Sequence, residues 1–188
     1  VRAGADETLF LLEHPPVITL GRNGGLDNLL ADPAALAARG VRVVQASRGG
    51  NITCHFPGQL VAYPILRVAR RPGGLKGLFH DLEETVIRTV ARFGVAGGRI
   101  EGRTGVWVQD RKICAMGLAV RHWVTLHGLS LNVGPDLSLF SNITACGLSG
   151  ARVTSLALET GDPGIGMDRV KDGLSDEFRK TFAPASLA

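Results

Sequence analysis

The stretch that most restricts the fold is residues 75–93, the chain's clearest amphipathic helix. Leu75, Leu78, Phe79, Leu82, Val86, Val90 and Phe93 fall on one face at helical spacing, and Gly94 stops the run. A helix with one apolar stripe must bury it against another layer. Most of the surrounding sequence reads as strand and offers that layer. "TLFLLEH" and "VITL", parted by Pro15-Pro16, come before it with "VRVVQ" and "GQLVAYPIL". "GVWV", a polar turn at Gln109-Asp110-Arg111, "KICAMGLAV" and "LHGLSLNV" come after. A compact helix is expected in "DPAALAARG", with Asp32 at the cap, Pro33 at the first position and Gly40 past the end. Met167, Val170, Leu174, Phe178 and Phe182 mark a C-terminal helix. Strands outnumber helices without βαβ alternation, so the expected class is α+β, mixed β-sheets flanked by helices. No internal repeat or low-complexity linker interrupts the 188 residues, and one domain over 1–188 is expected.

Aromatic residues make up only 5% of the chain, so the core must be built from Leu, Val, Ile and Ala. Glycine is abundant and clusters at Gly24-Gly25, Gly49-Gly50, Gly73-Gly74 and Gly97-Gly98, which implies tight turns or backbone close to a ligand. The net charge of +4 favours an acidic partner. Its basic residues are scattered, and one Tyr and two Trp provide no stacking platform, so no nucleic acid is expected. The densest basic run, "RVARRPGGLKG", reads as a solvated loop. No apolar run approaches the ~18 residues of a membrane span. The segment "VRAGADETLFLLEHPP" lacks the apolar core of a secretory signal. Three cysteines without a C-x-x-C argue against a disulfide framework and a structural zinc site, and the cytoplasm is the expected compartment.

The chain has no phosphate loop, no dinucleotide-binding glycine fingerprint and no G-x-S-x-G elbow. The nucleophile candidates are its cysteines. Cys54 stands beside His55, but neighbouring strand residues point to opposite faces, so Cys54 reads as a buried small residue. Cys114 has a stronger local case. In a regular strand Lys112 and Cys114 share a face roughly 7 Å apart, and a nearby ammonium lowers a thiol pKa. Its neighbours Ile113, Ala115 and Met116 nonetheless favour burial. Cys146, in "NITACG", reads as a loop residue followed by Gly147, where a sulfur can face a cleft and backbone N–H groups can face an oxyanion. These local readings leave the choice open. His14, His55, His122 and His127 match no ligand spacing, and no metal is expected. His127, with Gly128 beside it, is either a hydrogen-bonded structural residue or substrate-facing. Asp81, Glu83 and Glu84 read as the solvent face of the long helix.

Taken together, "EHPPVITLGR", "RGGNITCHFPGQLVAYPI", "GVWVQDRKICAMGLAV", "LHGLSLNV" and "FSNITACGL" resemble the lipoyl(octanoyl) transferase family, the octanoyltransferases of lipoate biosynthesis. The stretches occur in the family's order and span about residues 7–158. The resemblance implies a biotin/lipoate protein ligase-like module. It implies transfer of an octanoyl group from octanoyl-acyl carrier protein to a lysine of lipoyl domains, in 2-oxoacid dehydrogenase subunits and the glycine cleavage H protein. That reaction runs through an acyl-cysteine, without ATP or any cofactor, in a cytoplasmic monomer. By the same resemblance the nucleophile falls on Cys146 and the activating lysine on Lys112. Substrate-lining segments fall on Arg48, Gly49, Gly50, Asn51, Ile52, Thr53, Cys54 and His55, on Ala115, Met116 and Gly117, and on Gly128, Leu129 and Ser130.

Three positions depart from the family pattern. Cys54 replaces an aromatic residue, Phe56 a glycine, and Ala145 the proline before the nucleophile. The family also usually begins with a further strand and helix, so native N-terminal residues are expected to be missing here. Two other readings remain: an ATP-dependent lipoate or biotin ligase on the same fold, and a non-catalytic acyl-carrier or lipoyl-domain binding module. Neither requires a nucleophilic cysteine.

Overall fold

The structure, a computed structural model, describes residues 6–144 and 152–182. In chain order the strands and helices are β1 (Thr8–Leu12), β2 (Val17–Leu20), α1 (Pro33–Ala38), β3 (Arg42–Gln45), β4 (Ile52–His55), β5 (Gln59–Ile65) and α2 (Gly74–Ala91). There follow β6 (Gly98–Ile100), β7 (Arg103–Val108), β8 (Arg111–Arg121), β9 (Val124–Asn132), β10 (Arg152–Val153), α3 (Leu156–Thr160) and α4 (Met167–Phe182). The architecture is α+β, with mixed sheets flanked by helices. The larger sheet runs β1-β5-β9-β8-β7-β6, each neighbour antiparallel, and β10 joins β8 in parallel. The smaller sheet runs β3-β2-β4.

The smaller sheet contains a pairing that the alternation pattern did not announce: β2 and β3 are parallel. Parallel neighbours need a crossover, and α1 supplies it. Asp32 caps this helix by accepting from the Ala34 N–H at 3.2 Å, Pro33 occupies its first position, and Leu36 is its buried anchor. Under it lies a second core of Ile18, Leu20, Val41, Ile52, Phe56 and Leu139.

Helix α2 forms where its stripe requires. Leu78, Leu82, Val86 and Val90 are fully buried against the larger sheet, each contributing roughly 1.5–3 kcal/mol by leaving water. The row that receives them crosses four strands: Leu60 pairs with Leu131, Leu131 with Cys114, and Cys114 with Val106, and all four are 0% exposed. Leu75, expected on this stripe, is instead 44% exposed in the first helical turn. Two polar expectations are also corrected. Glu83 accepts from the Gly105 N–H at 2.9 Å and pairs with Arg99 at 3.1 Å, and Glu84 pairs with Arg99 at 2.9 Å, so these carboxylates tie α2 to the β6–β7 hairpin. The run "RVARRPGGLKG" is not simply solvated either. Val68 is buried, Arg71 pairs with Glu7 and lies over the Phe182 ring, and the glycines open α2. Among the described residues, no helix is long and apolar enough to cross a membrane.

Candidate active site

A cavity of about 790 Å³ lies between the two sheets, a volume typical of small-molecule sites. On the larger sheet its wall is the face opposite α2. Val61 pairs with Ser130 and Ser130 with Ala115, a row that alternates with the core row described above. The opposite wall is the loop between β3 and β4, with Arg48, Gly49, Gly50 and Asn51, together with Ile52, Thr53 and His55 of β4. The Gly49 N–H donates to the Leu118 carbonyl at 2.9 Å, bringing that loop onto β8. Gly117 permits the approach, because a Cβ there would stand 3.0 Å from the Gly49 oxygen. Arg48 is buried and grips β2: Nη2 donates to the Thr19 carbonyl at 2.6 Å, and Nε to Thr19 Oγ1 at 3.0 Å.

Lys112 reaches the cavity through an irregularity in β8. Val106 pairs with Cys114 and Val108 with Arg111, but Trp107 pairs with Lys112, leaving Ile113 as an extra residue. This β-bulge reverses the alternation. Cys114 shares the core face with Val106, whereas Lys112 shares the cavity face with Trp107. The expectation that Lys112 and Cys114 share a face is therefore corrected, and the bulge is the reason. Lys112 is buried, lines the cavity and sets its Nζ 4.7 Å from the Trp107 ring centroid. The Cys114 thiol is fully buried, and burial pushes it up to about 12 despite the opposing pull of Lys112.

Cys54 also departs from expectation. It is fully buried in the core of the smaller sheet rather than lining the cavity, because His55 takes the cavity face and alternation turns Cys54 away. Burial drives its thiol far above the usual range. The other expected lining residues, Ala115, Met116, Gly117, Gly128, Leu129 and Ser130, do border the cavity. Cys146 lies outside the described residues. On one side of it the Thr144 N–H donates to the Asn28 carbonyl at 2.8 Å. On the other, Val153 pairs with Lys112 and the Thr154 N–H donates to the Lys112 carbonyl at 3.0 Å.

Three features were not singled out from sequence. The first is Tyr63, the chain's single tyrosine, whose hydroxyl lies 2.8 Å from His14 Nε2 at the cavity wall. Alternation with Val61 in "LVAYPI" places it there and could have found it. The second is the contact between Ser47 Oγ and His127 Nε2 at 2.9 Å, which makes His127 both hydrogen-bonded and cavity-lining. The third is a buried amide relay. Gln59 Nε2 donates to Asn132 Oδ1 at 2.9 Å and to the Cys54 carbonyl at 3.3 Å, and Asn132 Nδ2 donates to the Thr154 carbonyl at 2.9 Å. With both its N–H groups used in this way, Gln59 presents Oε1 to His55 Nδ1 at 2.8 Å, so His55 carries its proton on Nδ1. Burial is the main cause that lowers His55 to about 4, and burial also lowers His14 and His127. Among the described residues, no group of three or more His, Cys, Asp or Glu side chains is placed to hold a metal ion.

Comparison with known proteins gives the family of the chain. The model of the lipoyl protein ligase A/B catalytic domain matches residues 1–179. An octanoyltransferase of Nitratidesulfovibrio vulgaris (strain DSM 19637 / Miyazaki F) is 60% identical over 188 residues, covering 100% of this chain and 86% of the relative. An octanoyltransferase of Maridesulfovibrio salexigens is 55% identical over 184 residues, covering 98% and 86%. The crystal structure of a lipoate-protein ligase A bound with ATP superposes with a TM-score of 0.78 over 95% of this chain and 73% of that one, at 19% identity, a likeness of fold. The chain belongs to the family of the lipoyl protein ligase A/B catalytic domain and stands with its octanoyltransferases.

Proposed function

We propose that this chain is an acyltransferase of lipoate biosynthesis. It moves an octanoyl group from octanoyl-acyl carrier protein to a lysine of lipoyl domains and of the glycine cleavage H protein, through a thioester on Cys146. The observation that carries the reading is identity of 55–60% to octanoyltransferases across nearly the whole chain. The cavity is compatible with it. Its apolar side chains, among them Val17 and Val61, suit an alkyl chain, and burial of that chain contributes ~0.8 kcal/mol per CH₂.

Lys112 lines this space, with its Nζ against the Trp107 ring. The chain returns to pair with Lys112 within a few residues of the segment that holds Cys146. In the proposed mechanism the ammonium stabilises the Cys146 thiolate. The thiolate attacks the thioester carbonyl, backbone N–H groups stabilise the oxyanion, and the carbon–sulfur bond to the pantetheine arm breaks. Lys112 gives its proton to the departing thiolate. A neutral acceptor lysine then attacks the acyl-enzyme, the amide forms and the Cys146 thiol is released with the proton shed by the amine. Two half-reactions imply ping-pong kinetics.

The test is octanoyl transfer to a lipoyl domain with ATP omitted, followed by intact mass spectrometry of both proteins. Transfer without ATP, with an octanoyl increment on the enzyme that is lost in Cys146→Ser, is expected. Modification that requires ATP and free lipoate would instead establish a ligase. Tight binding of carrier protein without modification of either protein would leave a binding module.

A further inference from the structure

Lys112 is buried in the cavity wall, and its own strand is bulged at that point. Strand β7 supplies two features opposite the bulge. Gly105, at φ +115°, has no side chain where a Cβ would stand 2.4 Å from the Cys114 carbonyl oxygen and 3.4 Å from Lys112 Cε, so the stem of the lysine runs across a bare backbone. Two residues on, Trp107 is 2% exposed and its indole Nε1 donates to the Arg103 carbonyl at 3.1 Å, which fixes the plane of the ring. Lys112 Nζ lies 4.7 Å from the centroid of that ring, within the range of a cation–π contact. The Arg103 guanidinium carbon lies 5.8 Å from the same centroid, so one ring serves two cations.

We propose that Trp107 is a positioning residue for Lys112: its π-face holds the ammonium at the cavity wall, while Gly105 opens the path for the lysine stem. The inference rests on the role given to Lys112 above. It adds that the place of that group is set from the neighbouring strand, by a residue that does not itself face the reacting atoms. Packing alone would make the ring's volume important and its electron distribution irrelevant. A cation–π hold makes the electron distribution decisive, because the attraction comes from the ring quadrupole.

That difference provides the test. The second tryptophan, Trp123, is removed as Trp123→Phe, which leaves Trp107 as the only site for biosynthetic incorporation of tryptophans with one, two or three ring fluorines. Fluorine drains the π-face with little change in size, so each protein should fold, and the melting temperature checks this. The readout is the rate at which Lys112 is acetylated by an N-hydroxysuccinimide ester, followed by peptide mass spectrometry. The rate is expected to rise stepwise with fluorine number, by roughly tenfold across the series, as the ammonium loses its hold. The initial rate of octanoyl-adduct formation should fall in parallel. An acetylation rate independent of fluorine number would overturn the proposal. Acetylation of Lys112 does not involve Cys146. If the adduct survives in Cys146→Ser, the transfer mechanism fails, and the labelling series still decides the role of Trp107.

Discussion

Strand β8 has two halves that obey different rules. From Cys114 to Arg121 it pairs with β9 residue for residue, and the side chains alternate between the α2 core and the cavity as a regular strand requires. From Arg111 to Cys114 it slips by one residue against β7, and the alternation reverses. The regular half supplies a smooth wall, with Ala115 and Gly117 toward the cavity and Cys114 and Leu118 toward the core. The bulged half spends one extra residue, Ile113, and so turns a cation toward the same cavity. Burial of a lysine in the α2 core would carry a severe desolvation penalty. The slip avoids that penalty and places the lysine at the wall of the cavity.

Substitutions on the two halves should therefore behave differently. The largest effect is expected from Lys112→Ala in the bulged half: a fall of about 10²–10⁴ in the rate of octanoyl-adduct formation, the range for loss of a positioned proton donor. Rapid-quench mass spectrometry measures it, and a rate within a few-fold of the parent would break the comparison. Next is Leu131→Ala, opposite the regular half, where loss of a fully buried side chain should cost about 2–5 kcal/mol in urea unfolding while the folded protein keeps its chemistry.

A smaller effect is expected at Cys114→Ser, which places a hydroxyl in the apolar row. It should destabilise the fold by about 1–3 kcal/mol and leave the adduct in place. Loss of the adduct without loss of stability would mean that Cys114, not Cys146, is the nucleophile.

The smallest effect concerns pH. His55 is held neutral in the folded state, at about 4 against 6.5 when unperturbed. Between these values the unfolded chain binds the proton and the folded chain does not. Stability contributed by neutral His55 is thus present above about pH 6.5 and is lost as the pH falls toward 4. His14 and His127, lowered in the same sense, add to the slope. Denaturation midpoints between pH 7 and 4 should fall less steeply in His55→Gln than in the parent. Parallel curves would remove His55 from that slope.

Regularity decided what the sequence disclosed. The α2 stripe, the cap at Asp32 and the strands around "VITL" and "LHGLSLNV" follow from periods that hold over several turns or pleats. The parallel β2–β3 pair was hidden because α1, the crossover that makes it, contributes only one fully buried residue, Leu36. Lys112 was legible as a candidate, but the face it takes was not: a strand read at a strict period of two sets it beside Cys114, and only the pairing with β7 reveals the extra residue. Cys54 was read correctly from its own strand as a buried small residue, and the family resemblance then drew it into the lining. The burial of that thiol beside Ile18 and Ile52 supports the local reading. Glu83 was misread because its partner is a backbone N–H twenty-two positions away, which no helical periodicity encodes.

The slip in β8 turns Lys112 to the cavity and leaves Cys114 in the core, and the proposed mechanism therefore gives the acyl group to a third cysteine. One measurement addresses it most directly. The variant with Cys54→Ala and Cys114→Ala retains Cys146 as its only cysteine. This variant is mixed with octanoyl-carrier protein, without ATP, and its intact mass is followed in time. One octanoyl increment per chain is expected, forming at the parent rate and slowed by further substitution of Lys112→Ala. A parent protein that gains the increment while the single-cysteine variant, still folded, gains none would contradict it.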